Sequence, residues 1–399
     1  MAEMKKKIGL LTGGGDVPPL NALIASAAET ARAAGIELVG FIKGWQGVLE
    51  ENYVALAEWP LRAGIGGTIL KSSRVGLGSE DSGRERALRV LDKLGIEGLI
   101  VVGGEDTLSN AFLLGGYRQV LIAKTIDNDI GKIVGGGDQH AEGFSPEIVL
   151  NYFTLGFPTA AEKIISFVSL EEGLRTTAYS HERIIIVESM GMHAGWLALA
   201  AGLGHPDFII IPEFPLNYER FLEGVISTYK RQRHLIIVVA EGAKWADGSF
   251  IFAEDDEGPD YGHPRFGGAA EALKKRLKED LAPHFDTRNI NVVNPSYLYR
   301  SGAPNALDRE WAERLGCKAV EMLLGPGTGP ALLTVQMRRG EFEVGEYPLS
   351  GFTSMAELHR FVDDRFYDPE NLRITETGQK YLKEIANEFI PEKEYGLHE

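Results

Sequence analysis

At 399 residues the chain is too long for one compact core and suits two lobes. Its 44% hydrophobic and 25% charged residues fit a globular enzyme and exclude disorder, collagen and coiled coil, and its single cysteine, Cys317, excludes an intrachain disulfide or a cysteine metal cluster. The formal net charge of −16 argues against nonspecific nucleic-acid binding, and if the substrates are phosphorylated, the cations that hold them must be gathered locally.

The first seven residues are basic but lead into a short strand, and nothing later reaches the roughly 18 apolar residues of a membrane span. A cytoplasmic location without membrane partners is expected. Residues 8–12 form an apolar strand ending in Gly13-Gly14-Gly15-Asp16, followed by a helix over 20–34 and a strand over 36–42. Helical spacing of Ala87, Val90, Leu91 and Leu94 predicts a helix over 84–94, feeding a buried-type strand at 99–102. A short helix at 107–114 and a strand at 120–123 come next. Residues 131–145, rich in glycine and polar side chains, suggest an inserted loop or crossover.

The alternation then resumes. Helices are expected over 159–170, 193–201, 220–231, 269–281 and 308–324, and strands over 184–187, 208–211, 235–240 and 290–293. Apolar strands alternating with helices imply an α/β fold of two doubly wound, mainly parallel-sheet lobes, with the active site in the cleft between them. An N-terminal lobe takes 1–131 and about 304–350, and a second lobe about 146–303. The last part, about 351–399, is a C-terminal extension whose placement the sequence leaves open.

Four turns stand where such sheets present ligands. Thr12-Gly13-Gly14-Gly15-Asp16 offers backbone N–H groups and a helix start to a phosphate, but lacks the lysine of a P-loop. Gly66-Gly67-Thr68 is followed by Lys71-Ser72-Ser73-Arg74, where a solvated Lys71 is the preferred reading. Gly103-Gly104-Glu105-Asp106 puts two carboxylates at a strand end, suited to a helix N-cap or to Mg²⁺. Lys124-Thr125-Ile126-Asp127-Asn128-Asp129 joins a cation, a hydroxyl and two carboxylates within six residues.

At that fourth turn the chain resembles the phosphofructokinase family, whose threonine–isoleucine–aspartate–asparagine–aspartate motif residues 125–129 match completely. Ser180-His181-Glu182-Arg183, Glu188-Ser189-Met190-Gly191, His193-Ala194-Gly195-Trp196, Ala240-Glu241-Gly242 and Pro295-Ser296-Tyr297-Leu298-Tyr299-Arg300 follow in the family's order. The resemblance spans about residues 6–324. It implies that Asp127 is the general base for the sugar 1-hydroxyl, with Asp129 and Thr125 orienting that hydroxyl and the transferring phosphate. Gly14, Gly15, Gly104 and Arg74 would hold the donor. Arg183, reaching into a neighbouring subunit's site, and Arg300 would bind the sugar 6-phosphate. Met190, Gly191, Met192, Glu241 and Tyr297 would line the sugar, and Glu105 would bind Mg²⁺. The assembly would be a homodimer or homotetramer with shared sites.

Donor choice rests on Asp106 and Lys124. ATP-using members of the family carry glycine at both positions, and pyrophosphate-using members resemble this chain. A carboxylate at Asp106 would repel an α-phosphate, and Lys124 would neutralise pyrophosphate. The expected reaction is therefore Mg²⁺-dependent transfer from pyrophosphate to fructose 6-phosphate. The alternatives are an ATP-dependent or broad-specificity sugar kinase and a non-catalytic sugar-phosphate-binding regulator. This chain departs from the family at Glu105 (usually aspartate), Met192 (arginine), Pro158 (aspartate), Asn291 (arginine or lysine, for which Arg288 is the candidate substitute) and Tyr297 (histidine). Cys317 is expected to be buried, Lys274-Lys275-Arg276 to be a solvated helix face, and His193 and Trp196 to begin a helix packed between the lobes.

Overall fold

The computed structural model describes residues 6–59, 62–79, 82–132, 149–169, 173–252, 268–327 and 329–386. Most of the expected crossover at 131–145, the end of the helix expected to reach residue 170, and the last part of the C-terminal extension lie outside them. The chain divides into two compact units, one of Met1–Ile126, Ile130–Thr159 and Arg300–Arg360, the other of Asp127–Asp129, Ala160–Tyr299 and Phe361–Glu399.

The first unit begins with β1 (Lys7–Thr12), α1 (Leu20–Ala33), β2 (Glu37–Phe41), α2 (Trp45–Leu49) and β3 (Tyr53–Ala55). It continues with α3 (Gly83–Lys93), β4 (Ile96–Gly103), α4 (Glu105–Phe112), β5 (Gln119–Thr125) and β6 (Leu155–Gly156). Helix α5 (Phe157–Val168) leads out of it. The second unit supplies α6 (Arg175–Ser180), β7 (Ile184–Ser189), α7 (Trp196–Ala200), β8 (Phe208–Ile210), α8 (Tyr218–Gln232), β9 (Leu235–Ala240), α9 (Ala269–Leu281) and β10 (Ile290–Val293). The chain then returns to the first unit with α10 (Ala306–Leu324), β11 (Ala331–Arg338) and β12 (Glu341–Pro348), and ends in the second with β13 (Tyr367–Asp368), β14 (Arg373–Ile374) and α11 (Glu376–Lys383).

In the first unit an eight-stranded sheet runs β12-β11-β5-β4-β1-β2-β3, with β6 paired to β5. Its centre is parallel, and β4 is buried along its length except at Glu97, as expected for a strand covered on both faces. Both edges are antiparallel: β3 on β2 and β12 on β11. In the second unit four parallel strands run β10-β7-β9-β8 over a core that includes Ile186, Ile237, Val239, Leu273 and Leu277.

The expected α/β architecture of mainly parallel sheets holds, and α9 and β10 match their expected bounds. Two elements differ where ligand contacts are at stake. Helix α4 starts at Glu105, so Glu105 and Asp106 are helical, with Gly104 at the N-cap and no side chain capping it. The expected helix over 193–201 begins at Trp196, which leaves His193 exposed in the preceding turn. Trp196 itself is buried and packs edge-on against Phe366 and at a tilt against Tyr381, both of its own unit.

Candidate functional site

The carboxyl ends of the parallel strands in the first unit open onto a cavity of about 550 Å³, lined by Gly14, Gly15, Asp16, Gly66, Gly67, Thr68, Lys71, Ser72, Ser73, Arg74 and Arg300. The β1 turn and the loop at 66–74 are joined by hydrogen bonds. Thr12 Oγ1 lies 2.8 Å from Thr68 Oγ1, and Ser72 Oγ donates to the Gly14 carbonyl. Buried Asn21, in the first turn of α1, accepts from Ile69 N at 2.8 Å and donates to Ile65 O at 2.9 Å. The lining carries no aliphatic or aromatic side chain, and sets three cations against one carboxylate in a chain of net charge −16.

Arg300, which the resemblance gives to the sugar 6-phosphate, lines this cavity, with its guanidinium against Gly15 and Nε 3.5 Å from Asp16 Oδ1. Lys71 lines the cavity and is exposed, as the solvated reading expects.

Lys124 sits at the end of β5, only 3% exposed, and its Nζ donates to the Gly15 carbonyl. Gly14 has φ +75°, and a β-carbon there would stand 3.2 Å from Lys124 Nζ and 3.9 Å from Gly104 N. The β1 turn, the start of α4 and the lysine therefore meet. This excludes a solvent-facing Lys124, while Asp106 is exposed on the first turn of α4.

Glu105 is partly exposed, and its Oε2 lies 2.8 Å from His359 Nε2. Among the described residues no group of three or more His, Cys, Asp or Glu is placed to hold a metal ion. A single carboxylate still suits Mg²⁺, which takes most of its oxygen ligands from water and substrate phosphates. Sequence reasoning missed His359, which is far from every glycine turn in the chain.

The motif at 125–129 crosses the division of the chain. Thr125 ends β5, and its carbonyl accepts from Thr154 Oγ1 at 2.6 Å. Asp127, Asn128 and Asp129 group with the second unit. Asn128 has φ +54°, a region asparagine tolerates, and its buried amide donates to Tyr381 Oη at 2.9 Å. Tyr381 lies on α11, so the C-terminal extension anchors the turn that carries the expected base.

The expected sugar-lining residues stand on two laced turns of the second unit. Glu241 N donates to Ser189 O at 2.9 Å, Gly191 N to Glu241 Oε1 at 3.2 Å, and Gly242 N to Gly191 O at 3.2 Å. A β-carbon on Gly242 would stand 1.9 Å from Met192 O, so glycine is required for the turns to close. Glu188, 3% exposed, accepts from Gly268 N, Ala270 N at 2.9 Å and Asn294 Nδ2 at 2.7 Å, pinning the end of β7 to the start of α9. Glu213 accepts from Gly195 N and Val362 N, both at 2.9 Å, and burial raises its pKa.

Arg183 is half-buried, with Nη1 donating to Thr177 Oγ1 at 2.9 Å. Tyr297 is 65% exposed. Arg288, the candidate substitute at Asn291, is engaged by Asp286 at 2.6–3.0 Å, and its hydrogen bonds draw that carboxyl down to about 2. Cys317 is half-buried rather than buried, and accepts from Thr30 Oγ1 at 3.2 Å. In the basic run of α9, Lys274 pairs with Glu271 and Arg276 lies 3.7 Å over the Tyr218 ring.

Two α/β units, one carrying a polar, cation-rich cavity at its strand ends, place the chain in the class of doubly wound proteins that handle phosphorylated ligands. The chain belongs to the phosphofructokinase family, whose profile matches residues 7–134 and 144–323. It is 36% identical over 327 residues to the pyrophosphate–fructose 6-phosphate 1-phosphotransferase of Dictyoglomus thermophilum, covering 80% of this chain and 86% of that one. It is 39% identical over 324 residues to ATP-dependent 6-phosphofructokinase 3 of Streptomyces coelicolor, covering 79% and 86%. The crystal structure of pyrophosphate-dependent phosphofructokinase from Marinobacter aquaeolei shares the fold, with a TM-score of 0.75 at 24% identity over 98% of this chain and 94% of that one. Among the described residues no helix is long and apolar enough to cross a membrane.

Proposed function

We propose that this protein transfers a phosphoryl group from inorganic pyrophosphate to the 1-hydroxyl of fructose 6-phosphate, giving fructose 1,6-bisphosphate and phosphate. The observation that carries the donor assignment is the cavity lining. It offers glycine backbone, hydroxyls and cations, with buried Lys124 beside Gly14 and Gly15 and no apolar side chain to hold a nucleoside. Arg74 and Lys124 bind the donor, while Asp106 repels the third phosphate group that ATP would bring. Glu105 would hold Mg²⁺, which would supply charge neutralisation for the donor. Asp127 takes the proton of the attacking hydroxyl, and Asp129 and Thr125 orient the reacting groups. Met190, Gly191, Met192, Glu241 and Tyr297 contact the sugar. Arg183 contacts the 6-phosphate in a neighbouring subunit's site of a homodimer or homotetramer.

The second reading is an ATP-dependent kinase of the same family, favoured by the 39% identity to the Streptomyces coelicolor relative. A coupled assay of the purified protein with fructose 6-phosphate, comparing pyrophosphate with ATP, decides between them. Turnover with pyrophosphate and little with ATP is expected, and turnover with ATP alone overturns the donor assignment.

A further inference from the structure

Lys71 holds an uncommon position. Its φ of +59° lies in the left-handed region, which glycine enters at no cost and a side chain with a β-carbon does not. The surroundings impose that conformation. Lys71 N donates to Thr68 O at 3.2 Å, and Lys71 O accepts from Thr12 Oγ1 at 3.4 Å. On one side Leu70 O accepts from Lys43 N at 2.7 Å, and on the other Ser73 Oγ donates to Lys43 O at 2.8 Å. A loop held this firmly suits glycine at position 71, yet the chain places a long cation there, on the wall of the cavity.

The charges around it point to a ligand. Lys6, Lys7, Lys93, Lys274 and Lys318 each stand within 4.0 Å of a carboxylate. Among the described residues neither Lys71 nor Arg74, both exposed, has such a partner, as is also true of Lys43, Lys230, Lys275 and Lys278, whereas Arg300 is engaged by Asp16. What sets Lys71 and Arg74 apart is that they line the cavity. Two uncompensated cations thus face a cavity with one carboxylate and no apolar side chain. We propose that Lys71 is a donor-specificity residue whose ammonium binds a phosphate group of the donor alongside Arg74. This rests on the reading of the cavity as the donor site. The ligand class is an inorganic diphosphate, whose charge is concentrated on two phosphorus centres.

The test compares wild type with Lys71→Gly, Lys71→Ala and Lys71→Arg, measuring KM for both substrates, pyrophosphate binding by calorimetry without acceptor, and thermal unfolding. Lys71→Gly is expected to raise the donor KM and the pyrophosphate Kd about tenfold, the worth of one charge-assisted hydrogen bond. Acceptor KM should stay within twofold, Tm should hold or rise because a left-handed lysine is relieved, and Lys71→Arg should restore most of the affinity. Donor KM and Kd unchanged in Lys71→Gly overturn the proposal, as does a parallel rise in both KM values with a fall in Tm. If wild type uses ATP and not pyrophosphate, the donor assignment fails by itself. The same variants measured with ATP then judge Lys71: an unchanged KM for ATP overturns its role, and a tenfold rise upholds its phosphate contact while overturning inorganic diphosphate as the ligand.

Discussion

Glu105 Oε2 lies 2.8 Å from His359 Nε2. The histidine arrives on a segment fixed to the chain just beyond the 125–129 motif. Ile130 bridges His359, and Gly131 N donates to Leu358 O at 2.7 Å. A glutamate has one more rotatable bond than the family's usual aspartate, and the imidazole restrains it. With Glu105 as the proposed Mg²⁺ ligand, His359→Ala should raise the Mg²⁺ concentration for half-maximal rate about tenfold or more, as for other groups that orient a ligand. Mn²⁺ binding followed by electron paramagnetic resonance should weaken in parallel. An unchanged metal requirement would show that His359 has no orienting role.

A second tether joins Asn128 to Tyr381, 253 residues apart in the chain. Tyr381→Phe removes the acceptor of a buried amide and leaves its ring packed against Trp196 and Phe366. The loss should be about 1–3 kcal/mol, felt in the turn that holds Asp127 and Asp129. We expect kcat to fall several-fold with little change in either KM. Wild-type kcat in a well-folded variant would detach α11 from the chemistry.

The helices and strands that sequence periodicity predicts are those with one unambiguous face or none. Strand β9 is buried at every position, and its apolar run fixes its bounds; α9 has Leu273, Leu277 and Leu281 at helical spacing. The hairpin of β11 and β12 escaped because β12 is an edge strand. Glu341 and Glu343 stand exposed on one face and Glu346 on the other, which raises the charge density and masks the alternation. The turns after β1, β4 and β5 were legible because each follows an apolar strand directly, whereas the turn at 66–74 was read from its glycines and cations. His359 and Tyr381 were not, since neither has a local pattern and each acts through a contact that only the fold creates. The ion pair of Arg300 with Asp16 was not legible either, because it bridges 284 positions that no spacing rule connects.

Asp127→Asn tests the proposed base. The substitution keeps the size of the side chain and the amide anchor at Asn128. Turnover should fall about 10²–10⁴-fold with fructose 6-phosphate binding retained, the usual contribution of a general base. Near-normal turnover would remove Asp127 from that role.

Asp308 gives a pH prediction independent of activity. It lies wholly buried in the first turn of α10, accepting from Gly156 N at 2.8 Å and Thr159 Oγ1 at 2.6 Å. Burial outweighs those hydrogen bonds and raises its pKa from 3.8 to about 6. Because the folded state holds this proton more tightly than the unfolded one, its contribution to stability is greatest below about pH 4. It declines as pH rises towards about 6, by roughly 3 kcal/mol for a shift of this size. Most paired carboxylates act with the opposite sign, so the comparison must be with Asp308→Asn rather than with an absolute curve. The stability of wild type minus that of the variant, from denaturant unfolding, should fall between pH 4 and pH 7. A flat difference would mean that Asp308 titrates at its ordinary value.

The donor prediction places the two determinants at different depths. Lys124 is buried against the Gly15 carbonyl, whereas Asp106 is exposed on the first turn of α4. Asp106→Gly removes a surface carboxylate and should cost little stability beyond the propensity of glycine near a helix start. Lys124→Gly empties a buried space and should lower Tm measurably, so thermal unfolding accompanies every kinetic comparison. Removing the carboxylate alone leaves Lys124 in place, and removing the lysine alone leaves a negative charge towards an α-phosphate. Both changes should therefore be needed before ATP is accepted, giving non-additive effects on kcat/KM for ATP. Lys124→Gly should also sharply weaken pyrophosphate use, because a phosphate contact made by a desolvated cation is lost. Steady-state kinetics with both donors on wild type, the two single variants and the double variant complete the cycle. Strictly additive gains towards ATP, from singles that are already active with it, would show that the two residues do not share one ligand.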